Sequence, residues 1–193
     1  MADLIFSILI SFITIFIIMD PFPSLITFLT YTKKHTDKER SVCATKAVLI
    51  AGLVALLFLF LGPMLLDVLR ITLSDFKVAG GLILTLLGIE TVLGITMSNH
   101  KDNNLNDLAV LIATPLLTGP GLVTSLIVLS EDNGLVPTLI ALLLALFVSW
   151  MILLYSIKIR KTIGEQTIHI TAKIIGLVLL ALGVSYIKKG LVG

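Results

Sequence analysis

The sequence predicts an all-α transmembrane fold: six helices forming two inverted three-helix repeats, with the first and fourth helices broken. Three observations predict it. Of 193 residues, 57% are hydrophobic and only 13% are charged, with a mean hydropathy of +1.10, far from the composition of an ordinary soluble domain. The apolar residues fall into six stretches, at about 4–31, 47–69, 76–97, 107–129, 135–157 and 170–191, each near the roughly 20 residues needed to cross about 30 Å of hydrocarbon. Glycines and prolines then recur at matching places in the two halves, as in an internal duplication.

The first stretch carries Asp20, Pro21 and Pro23 inside the apolar run IIMDPFPSLITF. No Lys or Arg precedes it and no small-residue cleavage site follows, so it is expected to remain as a membrane helix rather than be removed as a signal peptide. Its prolines predict unwinding around 19–24, because proline lacks an N–H and clashes with the carbonyl four residues back. The connection at 32–46 reads as a polar loop of about fifteen residues, before a continuous second span. The third span contains AGGLILTLLGIE, and a loop at 98–106 follows it. In the fourth, LLTGPG (Leu116 to Gly121) predicts a second unwound stretch around 118–121. The fifth is continuous, and the sixth reads KIIGLVLLALGVSYIKKGL.

Aligning Gly81 with Gly176 also aligns Gly88 with Gly183, both at an offset of 95. Asp20-Pro21-Phe22 aligns with Gly119-Pro120-Gly121 at an offset of 99. Each half, about 1–97 and about 107–193 of a single membrane domain, is then a broken, a continuous and a glycine-bearing span. Three crossings per repeat force the second copy into the membrane from the opposite side, the inverted duplication of many secondary transporters. The glycines Gly80, Gly81, Gly88, Gly176 and Gly183 are helix-packing candidates, since small residues let helices approach closely in lipid.

Charge sets the expected orientation. Lys33, Lys34, Lys38, Arg40, Lys46, Lys101, Lys158, Arg160, Lys161 and Lys173 lie on one side, against Arg70, Lys77, Lys188 and Lys189 on the other. The richer side is cytoplasmic by the positive-inside rule, which puts both termini outside. The net charge of +2 gives a nucleic-acid partner no support. Lone Cys43 cannot form an internal disulfide, and His35, His100 and His169 make no ligand cluster, so neither metal nor cofactor is expected. GxxxxGK[ST] is absent, which leaves ATP coupling without a site.

Half-helix ends at the two breaks suit a small zwitterion: the N-terminal end attracts a carboxylate and the C-terminal end a cation. Candidate substrate-binding residues are therefore Asp20, Pro21, Phe22, Thr114, Thr118, Gly119, Pro120 and Gly121. Asp20, a carboxyl at membrane depth, is an ammonium partner or a coupling-ion site, or else a cap on the next half-helix. Glu90 is the second ion-coupling candidate, or a group that reaches the interface. The hydroxyls of Thr124 and Ser125 bond substrate or satisfy freed carbonyls. Trp150, Phe147 and Tyr155 read as packing or interfacial aromatics, and Lys188 and Lys189 as snorkelling anchors. An enzyme is not expected, because no nucleophile with a base stands at membrane depth. A channel would call for a continuous polar stripe or a charged ring, and the spans offer isolated carboxylates.

The DP break, AGGLILTLLGIE at 79–90, PLLTGPG at 115–121 and the sixth-span glycines together resemble the MarC family of six-span membrane proteins, also called the SnatA or neutral amino acid transporter family. The likeness covers nearly the whole chain, and PLLTGPG is its most specific piece. It departs after the DP, where Pro23 and Ile26 stand at positions the family usually fills with glycine and proline. The resemblance implies a multi-pass protein of a prokaryotic cytoplasmic (inner) membrane. It further implies a carrier of small neutral amino acids such as glycine, alanine and serine. The paired breaks themselves predict alternating access around 19–24 and 114–121 with a proton or sodium supplying the drive, and a homo-oligomer is left open. Export of other small solutes and a non-transporting scaffold are the alternative functions.

Overall fold

A computed structural model describes residues 2–94, 109–110 and 112–192; the side chains of residues 2–3 and 114–116 lie outside the described set. The described residues are helical throughout, without strands. Helix α1 (Ala2–Met19) is followed after one residue by α2 (Pro21–Tyr31), then α3 (Asp37–Leu69) and α4 (Leu73–Leu93). A π-helical segment, π1 (Ile112–Leu117), leads into α5 (Pro120–Asn133), followed by α6 (Leu135–Leu154), α7 (Ser156–Ile163) and α8 (Glu165–Val192).

Five stretches are long and apolar enough to cross a membrane: Leu4–Tyr31 (α1 with α2), Asp37–Leu69, Leu73–Leu93, Leu135–Leu154 and Glu165–Val192. Their outward faces carry exposed leucines, isoleucines and phenylalanines, among them Phe6, Leu53, Phe60, Leu86 and Leu177, the surface expected against lipid tails. The expected span at 107–129 lies partly outside the described residues, and its described part is divided between π1 and α5. From Leu122 to Leu129 only Val123 in α5 is not fully buried, so that half-helix occupies the middle of the bundle.

Several boundaries differ from expectation, among them those of the third span, expected at 76–97 and found at Leu73–Leu93. The loop expected at 32–46 is mostly helix, because Thr36 caps α3 ten residues before its apolar stretch. The Thr36 hydroxyl accepts from the Glu39 N–H at 3.4 Å, while Glu39 Oε2 accepts from the Thr36 N–H at 2.8 Å, a reciprocal cap that satisfies two orphan donors. Arg40 then donates to the Thr32 carbonyl at 2.9 Å and the Lys33 carbonyl at 3.1 Å, a cation on the terminal carbonyls beyond α2. The fifth span stops at Leu154, where a bend at Tyr155 begins α7, whose Lys158, Arg160 and Lys161 are exposed. The sixth starts at Glu165 rather than near 170, as the polar turn EQTIH joins the helix.

The closest packing is between α4 and α8, which run antiparallel. A Cβ on Gly81 would stand 2.6 Å from the Gly183 carbonyl, one on Gly88 2.8 Å from the Gly176 carbonyl, and one on Gly190 2.6 Å from the Ser74 carbonyl. Backbone thus lies against backbone along nearly the whole of α4. Lipid tails supply no hydrophobic force between helices, so association rests on such contact. Gly80 meets a different neighbour: a Cβ there would run into the Thr124 side chain of α5. On the opposite side of the bundle the Trp150 indole donates to Thr45 Oγ1 at 3.0 Å, joining α6 to α3. The Trp150 ring also lies against that of Phe147, with centroids 6.0 Å apart, so the packing aromatic has in addition a specific cross-helix partner for its N–H.

Two predictions follow from this packing. Gly88→Val overpacks a backbone contact and should cost about 1–3 kcal/mol, read as a lowered unfolding midpoint in detergent by fluorescence-detected size exclusion, whereas lipid-facing Leu86→Val should leave it nearly unchanged. For Trp150 and Thr45, a cycle of Trp150→Phe and Thr45→Val should show a coupling of about 1 kcal/mol; purely additive losses would mean that the hydrogen bond contributes nothing.

Candidate functional site

The first helix break is a single residue. Asp20 adopts the left-handed conformation, φ 40° and ψ 65°, which costs about 1–2 kcal/mol for a residue with a Cβ and is most accessible to Asn and Asp among such residues. Helix resumes at once at Pro21. Unwinding is therefore narrower than the 19–24 expected, for a physical reason: the first N–H groups of a helix have no intrahelical acceptor, so Pro21 at the first position and Pro23 at the third remove donors that were orphans anyway.

Those prolines also determine what Asp20 is free to do. An aspartate before a helix ordinarily accepts from the N–H two or three residues on, and Pro23 has none to give. No side-chain capping bond forms. Asp20 is only 8% exposed, and its Oδ1 is buried without a hydrogen-bond partner. Its Oδ2 lies 3.4 Å from Thr91 Oγ1 on α4, and Thr91 Oγ1 lies 2.9 Å from the Leu87 carbonyl. The reading of Asp20 as a helix cap is thus not what the geometry has; the carboxyl is turned toward α4.

The second break has a different form. The expectation was unwinding at 118–121; instead the chain widens to a π-helix before the break, and only Thr118 and Gly119 are non-helical. Pro115, with no N–H, cannot donate four residues back, and the ladder shifts by one: the Thr118 N–H donates to the Ala113 carbonyl at 2.8 Å, five residues earlier. Such bulges are frequent at functional sites. The Thr118 hydroxyl donates to the Ala51 carbonyl of α3 at 3.0 Å, and Thr124 to the Pro120 carbonyl at 2.9 Å. Both hydroxyls therefore satisfy carbonyls. Ser125 is fully buried, and its hydroxyl lies close to that of buried Tyr186 on α8.

Helix α4 touches both breaks. A Cβ on Gly121 would stand 2.6 Å from Leu84 Cδ2 and 3.6 Å from Leu87 Cδ1, and Thr91 follows Leu87 by one turn to meet Asp20. The two breaks thus reach α4 about 5–10 Å apart along its axis. Pro21, Thr118, Gly119 and Gly121 are buried, Phe22 is half-buried and Pro120 is exposed. The Thr114 side chain lies outside the described residues. Glu90 is half-buried in the last turn of α4, three residues from its end at Leu93, and immediately precedes Thr91, the neighbour of Asp20.

Sequence reasoning missed Thr91. A signal was present: at the offset of 95, Gly88-x-x-Thr91 aligns with Gly183-x-x-Tyr186, a polar residue one turn after a packing glycine in each half. Also missed were the links at the far end of α5, where Lys77 pairs with Asp132 at 3.6 Å and the Asn133 amide donates to Ser11 Oγ at 3.1 Å. Among the described residues no group of His, Cys, Asp and Glu could hold a metal ion.

Fold and site together define a polytopic helical membrane protein with two interrupted helices packed on a common third. The chain belongs to the MarC family of integral membrane proteins, whose model matches residues 5–193. It is 33% identical to the UPF0056 membrane protein MJ1677 of Methanocaldococcus jannaschii, over 96% of each chain. It is 32% identical to a UPF0056 membrane protein of Archaeoglobus fulgidus, over 94% of this chain and 90% of that one. The UPF0056 inner membrane protein YhgN of Escherichia coli K12 is 30% identical over 93% of each chain. No solved structure matches.

Asp20→Asn preserves shape while removing the charge. Because the carboxyl takes no capping bond, the variant should fold with stability within about 1 kcal/mol of wild type, checked by thermal melting in detergent. A loss of several times that amount would show that the carboxyl holds the break together.

Proposed function

We propose that this protein is a secondary transporter of small neutral amino acids of the glycine, alanine and serine class, working by alternating access in a prokaryotic inner membrane. The observation that carries the reading is the pair of breaks, Asp20 before Pro21 within the apolar stretch Leu4–Tyr31 and Gly119 before Pro120 at the start of the buried α5, both against α4. Non-helical backbone at membrane depth persists where it is buried in protein or lines a cavity, and broken helices at a repeat interface are where transporters bind substrate.

The inverted repeat belongs to this reading, and the packing supports it. Shifting by 95 turns the contact of Gly81 with Gly183 into that of Gly176 with Gly88, and both occur. Exchanging each span for its counterpart turns the packing of α1 on α6 into that of π1 and α5 on α3, and both occur as well. Alternating access then has the two halves rock about the breaks, with the α4–α8 glycine contact as the surface on which they meet. The zwitterion of a neutral amino acid matches the site: its carboxylate suits the N-terminal end of α5, its ammonium suits Asp20, and the absence of further charge suits the apolar surroundings. Both termini facing outward, and a proton or sodium as the driving ion, complete the proposal, which contains no catalytic step.

Counterflow of labelled glycine and alanine in proteoliposomes tests it. Saturable exchange is expected in wild type, with strong loss in Asp20→Asn. Pro120, exposed at the start of α5, separates function from folding: Pro120→Leu should insert normally yet reduce exchange by roughly tenfold or more. Equal losses of insertion and exchange would assign the second break to folding alone. Absence of exchange with correctly inserted protein would overturn the amino acid assignment and favour another solute or a scaffold.

A further inference from the structure

We propose that Asp20 and Thr91, with the carbonyl end of α1, form a binding site for one sodium ion. The argument begins with what the carboxyl lacks. Asp20 is buried, its Oδ1 has no partner, and among the described residues no Lys, Arg or His pairs with it. Of the two N–H groups that would ordinarily cap it, that of residue 23 is missing because it is proline, and no side-chain capping bond forms to the other. A buried carboxyl whose one long donor contact is shared must be neutralised, by a proton or by a bound cation.

The geometry identifies the kind of charge. A threonine hydroxyl has one hydrogen, and that of Thr91 has two neighbours, the Leu87 carbonyl at 2.9 Å and Asp20 Oδ2 at 3.4 Å. That one hydrogen can serve only one of the two at a time; while it lies on the shorter contact, an ionised Asp20 Oδ2 and a lone pair of Thr91 Oγ1 stand side by side, an arrangement that a cation bridges. The carbonyl of Met19 adds a third oxygen: in a continuous helix its donor would be the N–H of residue 23, and Pro23 has none. Terminal carbonyls of a helix interrupted at membrane depth are recognised ligands for such ions. An all-oxygen set favours a hard cation, and since Asp20 carries a single formal charge, sodium and a substrate ammonium would compete for it. As a coupling ion the sodium rests on the transport reading; as a bound ion it does not.

The test is binding of radiolabelled sodium to the purified full-length protein in nanodiscs, at acidic, neutral and alkaline pH, with labelled-glycine counterflow measured in parallel. Saturable sodium binding by wild type is expected, abolished in Asp20→Asn, weakened about tenfold in Thr91→Val and restored in Thr91→Ser, all variants being monodisperse. No saturable binding by wild type at any pH would overturn the site and leave Asp20 holding a proton at most. Binding unchanged in Asp20→Asn would place the ion elsewhere and overturn it equally. Sodium binding without counterflow would keep the site and sink the transport reading; counterflow without sodium binding would do the reverse.

Discussion

Hydrocarbon offers no hydrogen bonds, and this constraint shapes the molecule more than any other. Every N–H and C=O exposed by a broken helix must find its partner inside the protein, at a cost of several kcal/mol if it does not. The chain meets the demand with local devices. At the first break the prolines stand at helix positions where no donor is needed, and Ser24 Oγ lies 3.4 Å from the Asp20 carbonyl. At the second, the π-turn lets the Thr118 N–H reach Ala113, while the Thr118 side chain binds across to α3. Among the described residues beside the breaks, Asp20 Oδ1 and Ser125 Oγ are the side-chain atoms left buried without a hydrogen-bond partner. Of these, the carboxyl oxygen is the one that can carry charge.

Helix α4 is placed to sense both breaks at once. One side, through Gly81 and Gly88, lies at backbone distance from α8 and admits no side chain between them. Another side presents Leu84 and Leu87 to Gly121, and Thr91 to Asp20. Contacts without intervening side chains hold two helices at fixed separation while presenting few interlocking knobs to resist sliding. A displacement of α4 along α8 would therefore alter both breaks together. Near the other end, Lys77 and Asp132 connect α4 to the end of α5 at 3.6 Å, a half-exposed ion pair of modest strength and so one that can open at little cost.

Much of this was legible in the sequence, for identifiable reasons. Hydropathy located the continuous spans because composition alone governs partition into lipid, and the glycines were legible as packing positions because only residues without a Cβ permit so close an approach, although that α4 and α8 pack on each other was not. The positions of both breaks were legible in their prolines. Their shapes were not: whether a proline unwinds several residues or starts a new helix depends on what its neighbours accept, and the π-shift at Pro115 depends on the register of carbonyls upstream. Thr91 was hidden because a threonine in an apolar helix most often bonds the carbonyl four residues back, as Thr91 also does with Leu87; its second neighbour arises from tertiary packing alone. The helical start of α3 was hidden by its polarity, which marks an interface as readily as a loop.

The two breaks align at Pro21 and Pro120, yet the residue before each differs: Asp20 in one, Gly119 in the other. The one-turn-after-glycine position differs too, Thr91 against Tyr186. On the proposed reading of an inverted repeat, two matching interruptions with a carboxyl at only one of them give a site with similar backbone at its two ends and opposite electrostatic preference. The Asp20 end favours positive charge, through the carboxyl and the carbonyl end of α1; the Gly119 end, open at the start of α5, favours negative charge. Architecture alone, being repeated, could not orient a small dipolar solute. The single substitution of aspartate for glycine supplies a direction, and on the proposed reading it is this asymmetry, more than the breaks themselves, that lets the site tell the two ends of an amino acid apart.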